Sequence, residues 1–288
     1  MTAHEEQGHD LKVMTFNINF EFGLVFGSSH VSPMTPMEEE LGMRVVNAIL
    51  AGDADVVFLQ ETNKGWEDYL RHHLSGRYPV QEWISPDDRG FVAAGSGVLV
   101  DTTRATLLRM DEVPTSETVA GCFFNQMVVS LSVSHPGISP PKTLNVVNVH
   151  LRPPLGMGRE GQGLWANIRA YFISSPQIHR QEIMSCHQHV AAHLPPTDAI
   201  LFLGDFNESA SSGGVAHLLH AGYRDALSTC GSTTTWHWPL LGPLQLSGSY
   251  DHIVYSPDTL HLVSCRVLRE HIAASDHLPV VGTFHFIE

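Results

Sequence analysis

The chain has 288 residues, 43% of them hydrophobic, which is enough to bury a sizeable core. No apolar run approaches the roughly 18 residues of a membrane-spanning helix, so stable membrane insertion is not expected. The 30 acidic residues outnumber the 16 basic ones and give a formal charge of -14, which argues against a broad basic face for duplex phosphates. The charge does not exclude nucleic acid as a substrate, because a metal ion and a few arginines can neutralise one phosphate.

Residues 1–10 are polar and acidic, which predicts a disordered tail rather than a secretory signal. The cysteines are scattered without a CxxC spacing. Their even number would allow two disulfides, but a chain of this size does not need such staples, and reduced thiols are the expectation. We therefore expect a cytoplasmic or otherwise intracellular protein, acting as a monomer.

Short runs rich in Val, Ile and Leu alternate with longer helical patterns, which predicts an α/β fold. The predicted strands are 11–17, 56–60, 97–100, 128–133, 144–150, 200–203, 251–255 and 280–286. The predicted helices are 37–51, 63–74, 176–193 and 213–220, with Gly52 and Gly222 as C-terminal stops. The absence of a linker predicts a single domain over residues 11–288.

Polar side chains follow several of these strands at the point where each strand ends. Asn17, Glu61 and His150 each come at the end of an apolar run. Asp205 and Asn207 follow another, and their spacing of two residues places both on one side of an extended segment. Because strand ends on one rim of a sheet are where convergent sites are built, these residues predict a site there.

Six short runs resemble, in order, those of the endonuclease/exonuclease/phosphatase superfamily, which is DNase I-like. The runs are TFNIN (15–19), FLQET (58–62), NVHLRP (148–153), LGDFNES (203–209), SYDHIVYS (249–256) and ASDHLPV (274–280). The resemblance implies a two-sheet β-sandwich flanked by helices, in four layers, with the site at one rim. It also implies a Mg²⁺- or Mn²⁺-dependent phosphoesterase that hydrolyses phosphodiester bonds by metal-assisted in-line attack of water.

The resemblance implies a metal site centred on Glu61, with Asn17 and Asp276 completing or supporting it. This agrees with the chemistry of Mg²⁺, a hard cation that takes oxygen ligands and binds one or two carboxylates together with substrate phosphate. Asn19 follows two residues after Asn17, where one branch of the superfamily has an aspartate, so a direct metal role for Asn19 is not expected.

The resemblance also assigns catalytic roles. Asp205 orients or deprotonates the attacking water, and the Asn207 amide donates to a phosphoryl oxygen. His277 lies near the phosphate as a base or an electrostatic clamp and is oriented by Asp251. His150 donates to a non-bridging oxygen or assists the leaving group.

Two further histidine patterns are interpreted as structural. His252 directly follows Asp251 in a strand, so its side chain should face the opposite way and lie away from the metal. Cys186, His189 and His193 share one face of the predicted helix 176–193 but lack a fourth zinc ligand. Neither pattern is expected to take part in catalysis.

Two long connections, 151–175 and 233–249, are expected to select the substrate. Arg152, Arg180 and Trp236 are the predicted substrate-binding residues, since arginine pairs with phosphates and tryptophan stacks on bases. The leading prediction is a nuclease or phosphodiesterase acting on nucleic-acid ends or single strands. Two alternatives stay open: a phosphatase or phospholipase-type enzyme acting on a phosphoinositide, sphingomyelin or small phosphomonoester, and a catalytically silent binding module.

Overall fold

The structure of the protein is a computed structural model. It describes residues 10–20, 33–85, 95–114, 118–119, 122–123, 126–135, 138–152, 175–231, 233–239 and 245–287. The described helices are α1 (Pro36–Gly52), α2 (Lys64–Leu74), α3 (Ser175–His193) and α4 (Gly213–His220), with 3-10 helices at Ala226–Thr229 and Arg269–His271. None of the described helices is both long and apolar enough to cross a membrane.

The described strands run in chain order from β1 to β16. They are β1 (Leu11–Asn17), β2 (Val56–Thr62), β3 (Val80–Ile84), β4 (Gly95–Val100), β5 (Ala105–Val113), β6 (Thr118–Val119), β7 (Cys122–Phe123), β8 (Gln126–His135), β9 (Ile138–His150), β10 (Ala199–Asp205), β11 (Arg224–Asp225), β12 (Trp236–Pro239), β13 (Gln245–Gly248), β14 (Asp251–Tyr255), β15 (Leu260–Val267) and β16 (Val280–Phe286).

The longer strands form two mixed sheets of the same design. The order is β15-β16-β1-β2-β4-β3 in the first sheet and β11-β14-β10-β9-β8-β5 in the second. Each sheet has a central parallel pair, β1 with β2 and β9 with β10, and antiparallel neighbours on both sides. The carboxyl ends of each parallel pair therefore lie at one edge of their sheet.

The two sheets pack face to face, and helices cover both outer faces. Val13 and Phe58 of the first sheet and Val146 and Leu201 of the second lie in the core between the sheets. The other side chains of the first sheet pack against α1 and α2, and those of the second against α3 and α4. The fold is therefore the predicted two-sheet sandwich flanked by helices, in four layers.

The predicted C-terminal stop of α1 is wrong by one residue. The helix includes Gly52, and Asp53 takes the left-handed conformation at φ 46° that ends it. Gly52 is closely packed instead, because a Cβ there would come within 2.6 Å of the Met14 sulfur and the methionine would have to shift. The stop after α4 is confirmed, since Gly222 has φ +99°.

The sequence pattern misses the edge strands β3, β5 and β15. Exposed polar side chains interrupt their apolar residues, as at Glu82, Arg109 and Ser264, so neither an apolar run nor a regular alternation marks them. By contrast, β1, β14 and β16 have the predicted bounds because each is an unbroken, mostly buried run.

Candidate active site

The ends of the parallel strands meet across the two sheets. Asn17 pairs with Gln60 at the end of β1 and β2, and Asp205 pairs with His150 at the end of β10 and β9. The Asn17 amide nitrogen donates to Asp205 Oδ2 across 3.0 Å and so joins the two sheets at this rim. The predicted convergence of the strand ends is therefore confirmed.

The sequence predicts Glu61 just after its strand, but in the structure the residue lies inside the strand. β2 continues to Thr62, and the pairing with β4 shifts between Gln60 and Thr62, which leaves Glu61 in a bulge with φ 57°. A bulge re-aims one side chain out of the regular alternation, and a non-glycine residue in this conformation is strained. The result is a carboxylate aimed along the rim, 18% exposed, that accepts hydrogen bonds from Asn17 Nδ2 (3.0 Å) and the Phe20 backbone N–H (3.2 Å).

Asp205 and Asn207 form a closed hydrogen-bonded turn. Asp205 Oδ1 accepts from the Asn207 backbone N–H across 2.8 Å, while Asn207 has φ 50°. The Asn207 side-chain nitrogen donates to Asp205 Oδ2 (3.2 Å) and to the Leu151 carbonyl (2.8 Å). The two side chains face one way, as predicted. The Asn207 amide, which was predicted to donate to a phosphoryl oxygen, here donates to Asp205 and to the backbone just after β9.

The His277 imidazole lies between the carboxylates of Asp251 and Asp205. Asp251 Oδ2 is 2.9 Å from His277 Nδ1, and His277 Nε2 is 3.6 Å from Asp205 Oδ2. Burial alone would lower the pKa of His277, but the carboxylates of Asp251 and Asp205 outweigh it and raise that pKa well above its ordinary value. This shift favours the protonated imidazole in the metal-free protein, and the predicted Asp251–His277 contact is confirmed.

His252 faces the other way, as predicted. Its Nδ1 is 2.8 Å from Asp225 Oδ2, and its Nε2 is within hydrogen-bond distance of the carbonyl oxygens of Glu208 and Ser249. The residue is buried on the side of the sheet away from Asp251. This histidine supports the fold.

The carboxylates on the rim repel one another. Burial raises the pKa of Glu61 to about 7, and the charges of Asp276 and Asp205 add to the increase against a hydrogen bond from Asn17. Burial likewise raises the pKa of Asp205 to about 6, opposed by the charge of His277. His150 Nε2 lies 3.7 Å from Glu61 Oε1. Ligand atoms of Glu61, His150 and Asp205 lie within 4.8 Å of one another, close enough to share one metal ion.

Trp236 and Asp276 form one wall of the site. The Trp236 indole N–H donates to Asp276 Oδ2 across 3.2 Å, and its ring packs on Tyr250 with centroids 5.1 Å apart. Asn19 Nδ2 donates to Asp276 Oδ1 across 3.4 Å. Trp236 was predicted to bind substrate, but here its indole holds the carboxylate of Asp276, a predicted metal ligand. Asn19 donates to the other oxygen of the same carboxylate.

The two predicted arginines lie against the helices of the second sheet, and their role in substrate binding stays a prediction. Arg152 donates from Nε and Nη2 to Glu182 Oε1 of α3, at 3.0 and 2.7 Å, and both side chains are largely buried. Arg180 lines a groove between α3 and α4 together with His217 and His220. Residues 153–174 of the first predicted specificity insertion lie outside the described residues, as does part of the second, 240–244.

Several residues that hold the site were missed. Gln126 accepts from the His150 N–H (2.7 Å) and donates to its carbonyl (3.0 Å), and Thr235 Oγ1 accepts from the N–H groups of Tyr250 and Asp251 (3.0 Å each). Gln126 begins its strand and Thr235 precedes a hairpin, so neither stands out by spacing. Their signal is burial of a polar side chain, which only the structure reveals.

The predicted absence of a zinc site on α3 stays a prediction. His193 Nδ1 lies 2.9 Å from the His189 carbonyl oxygen, and the two rings stack at 4.3 Å. Within the described part of the chain, the groups of three ligands that could hold a metal lie at the rim: Glu61, His150 and Asp205, and Asp205, Asp251 and His277.

Known proteins share this architecture. A model of the endonuclease/exonuclease/phosphatase family matches residues 14–277. No curated protein matches the chain by sequence. Similar solved structures include the human Nocturnin catalytic domain with a bound sulfate anion (16% identity, TM-score 0.63, covering 97% of this chain and 96% of that one) and TDP2 from D. rerio with a single-strand DNA product (17%, 0.64, 96% and 99%). An endonuclease/exonuclease/phosphatase protein from Bacteroides vulgatus is also similar (16%, 0.67, 96% and 99%).

Proposed function

The chain belongs to the endonuclease/exonuclease/phosphatase family of metal-dependent phosphoester hydrolases, and we propose that it cleaves phosphodiester bonds at nucleic-acid ends or in short single strands. The observation that carries this proposal is the cross-sheet cluster of Glu61, Asp205 and the Asp251–His277 pair. Such a cluster combines metal-compatible oxygens with a cationic imidazole in one partly buried rim.

The residues fit a divalent cation. Burial raises the pKa of Glu61 to about 7 and that of Asp205 to about 6, because too little positive charge lies nearby to stabilise the ionised carboxylates. A divalent cation would supply that positive charge. We assign Glu61 as the main ligand, with Asp276 supporting it and Mg²⁺ or Mn²⁺ as the ion. Asn17 contributes by donating to Glu61 and Asp205, so it orients the carboxylates rather than offering its oxygen. When bound, the ion supplies charge stabilisation at the phosphoryl group.

The side chains around the metal ion have separate roles in the reaction. Asp205, held by two donors from Asn207, orients the attacking water and draws its proton. His277, kept cationic by Asp251, stabilises the growing negative charge on the phosphoryl oxygens. His150, clamped through its backbone by Gln126, donates to a non-bridging or leaving oxygen.

The nucleic-acid assignment is supported by the likeness to the D. rerio TDP2 structure, which holds a single-strand DNA product. The acidic surface, with a charge of -14, favours substrates that offer few phosphates at once. Binding many duplex phosphates at once would need a basic face, so ends and short strands are the favoured substrates.

A substrate panel tests the proposal. Purified protein with Mg²⁺ is assayed on single-stranded DNA, RNA, 5′-tyrosyl DNA, sphingomyelin and inositol phosphates, with the Asp205→Asn variant as the matched control. We expect turnover of one of the nucleic-acid substrates, reduced on the order of 10³-fold in the variant. Turnover confined to sphingomyelin or inositol phosphates would replace this proposal with the phosphatase or phospholipase alternative. A folded protein inactive on every substrate would support a silent binding module.

A further inference from the structure

Two cysteines that the catalytic site does not use lie against each other at one edge of the sandwich. Cys230 caps the 3-10 helix that follows β11, and Cys265 lies in β15. β15 is an edge strand of the first sheet and β11 an edge strand of the second. The two Sγ atoms lie 2.7 Å apart, closer than van der Waals contact, although the residues are 35 positions apart. The thiols thus meet where the two sheets face each other.

Their surroundings suit thiol chemistry. Both side chains are partly exposed and pack against the core between the sheets. Contact with the Cys265 thiol lowers the pKa of Cys230, which favours Cys230 as the attacking thiolate. Cys186 differs: it is fully buried under α3, and burial raises its pKa to about 12.

We propose that Cys230 and Cys265 are a redox modification site, at which a disulfide forms under oxidising conditions and staples the two sheets together. With a small disulfide such as oxidised glutathione, the Cys230 thiolate attacks one sulfur and releases the first glutathione thiolate. Cys265 then loses its proton to solvent and attacks Cys230 Sγ, which releases the second. Two protein thiols and one glutathione disulfide become one protein disulfide and two glutathiones.

The disulfide would restrain the segment from Cys230 to Thr235, which leads to the catalytic rim. Five residues after Cys230, Thr235 accepts from the Asp251 N–H, and its carbonyl accepts from the Leu278 N–H at 2.7 Å, next to His277. A crosslink at Cys230 therefore restrains the chain just before it reaches these two contacts. We expect the oxidised protein to melt roughly 5–10 °C above the reduced one, as a loop of this length predicts.

The full-length protein is equilibrated with oxidised or reduced glutathione, alkylated, and mapped by mass spectrometry, and its melting temperature is measured in both states. We expect a Cys230–Cys265 crosslinked peptide in the oxidised sample and a higher melting temperature that dithiothreitol reverses. Cys230→Ser and Cys265→Ser should each abolish the redox-dependent shift, whereas Cys186→Ser should retain it.

Separate alkylation of Cys230 and Cys265 after oxidation, at every glutathione ratio tested, would overturn the proposal. A crosslink that forms without a change in melting temperature would disprove the stapling while leaving the site. If Cys230→Ser does not fold, Cys230→Ala serves as the second variant, and peptide mapping of the wild type decides the pairing by itself.

Discussion

Glu61 couples metal binding to pH. Its pKa in the folded protein, about 7, lies above its ordinary value, so between about pH 5 and pH 7 the folded metal-free protein binds more protons than the unfolded chain. The stability of the metal-free protein should therefore fall as the pH rises through this window. Metal binding requires the ionised carboxylate, so affinity for Mg²⁺ or Mn²⁺ should rise through the same window and release protons.

Titration calorimetry in buffers of different ionisation enthalpy measures both the affinity and the proton release. Glu61→Gln keeps the shape of the side chain, should lose metal binding, and should show a smaller fall in stability with pH. Metal affinity that is independent of pH between 5 and 8, or unchanged in Glu61→Gln, would place the metal elsewhere.

Asp251 and His277 should behave as one catalytic unit. Because Asp251 Oδ2 holds His277 Nδ1 at 2.9 Å, removing either partner removes the oriented cation. Asp251→Ala and His277→Ala should each lower kcat on the order of 10³-fold, and the double variant should be no worse than the poorer single variant.

The neighbouring His252→Ala is the matched control for this cycle. It removes an equally buried Asp–His pair with Asp225 and should lower the free energy of unfolding by about 1–3 kcal/mol while keeping most of kcat. Additive losses in the Asp251/His277 double variant, or an inactive but folded His252→Ala, would reverse these two assignments.

Single residues also mark the limit of prediction from sequence. The alternation of side chains along a strand was sufficient to separate Asp251 from His252, because β14 is regular. It did not anticipate the bulge at Glu61. At Asn207 it gave the correct side of the strand but not the contact, because the amide donates to the Leu151 carbonyl. Spacing predicts direction only where the backbone keeps its period.

At the scale of elements, α3 is anchored to the end of β9 by buried polar contacts. The Arg152 side chain donates to Glu182 of α3, and His179 of the same helix has its Nε2 2.9 Å from the Arg152 carbonyl oxygen. His179 Nδ1 lies 3.0 Å from Glu208 Oε2, whose other oxygen accepts from the N–H groups of Gly214 and Val215 at the start of α4. The helices behind the second sheet are thus tied to residues that adjoin His150 and Asn207.

Arg152 was predicted to contact phosphate because it follows His150, but its pairing with Glu182 predicts a structural role. Arg152→Met alone removes the arginine partner of the buried Glu182 carboxylate and should lower the free energy of unfolding by about 3–5 kcal/mol. Arg152→Met combined with Glu182→Leu should recover most of that stability, because a buried ion pair is replaceable by apolar residues. Denaturant unfolding and KM are measured for both variants. A KM increase of tenfold or more that persists in the stable double variant would restore the phosphate role.

The sequence predicts elements in proportion to their burial. The central strands and α1 to α4 were recognisable because apolar period or run length marks them, whereas β3, β5 and β15 are stabilised by pairing with a neighbouring strand. The contact between Arg152 and Glu182 was not predictable for a similar reason. That contact depends on where α3 packs on the second sheet, and no local sequence pattern predicts that position.

At the scale of the whole molecule, charge constrains how substrate is held. The chain carries a charge of -14, and many of its described basic side chains are already paired with carboxylates. These pairs are Lys12–Asp53, Arg44–Glu40, Lys64–Asp68, Arg71–Glu67, Arg77–Asp101, Arg104–Asp55, Arg109–Asp111 and Arg152–Glu182. If the protein binds nucleic acid as proposed, the paired basic residues leave the metal and the rim as the main source of affinity, with few phosphates neutralised by described lysines or arginines.

This charge balance predicts a shallow salt dependence for cleavage of a single-stranded oligonucleotide. If the protein neutralises two phosphates of a single strand, raising monovalent salt from 50 to 200 mM should increase KM by only about sevenfold, against the roughly 10³-fold or greater change of a protein with six to ten phosphate contacts. KM should also be nearly independent of substrate length beyond a few nucleotides. The measurement is KM against KCl at saturating Mg²⁺, with a small synthetic phosphodiester as the control for salt effects on the chemical step. A steep salt dependence together with tighter binding of longer strands would show an extended basic path and contradict the proposal that the substrate is an end or a short strand.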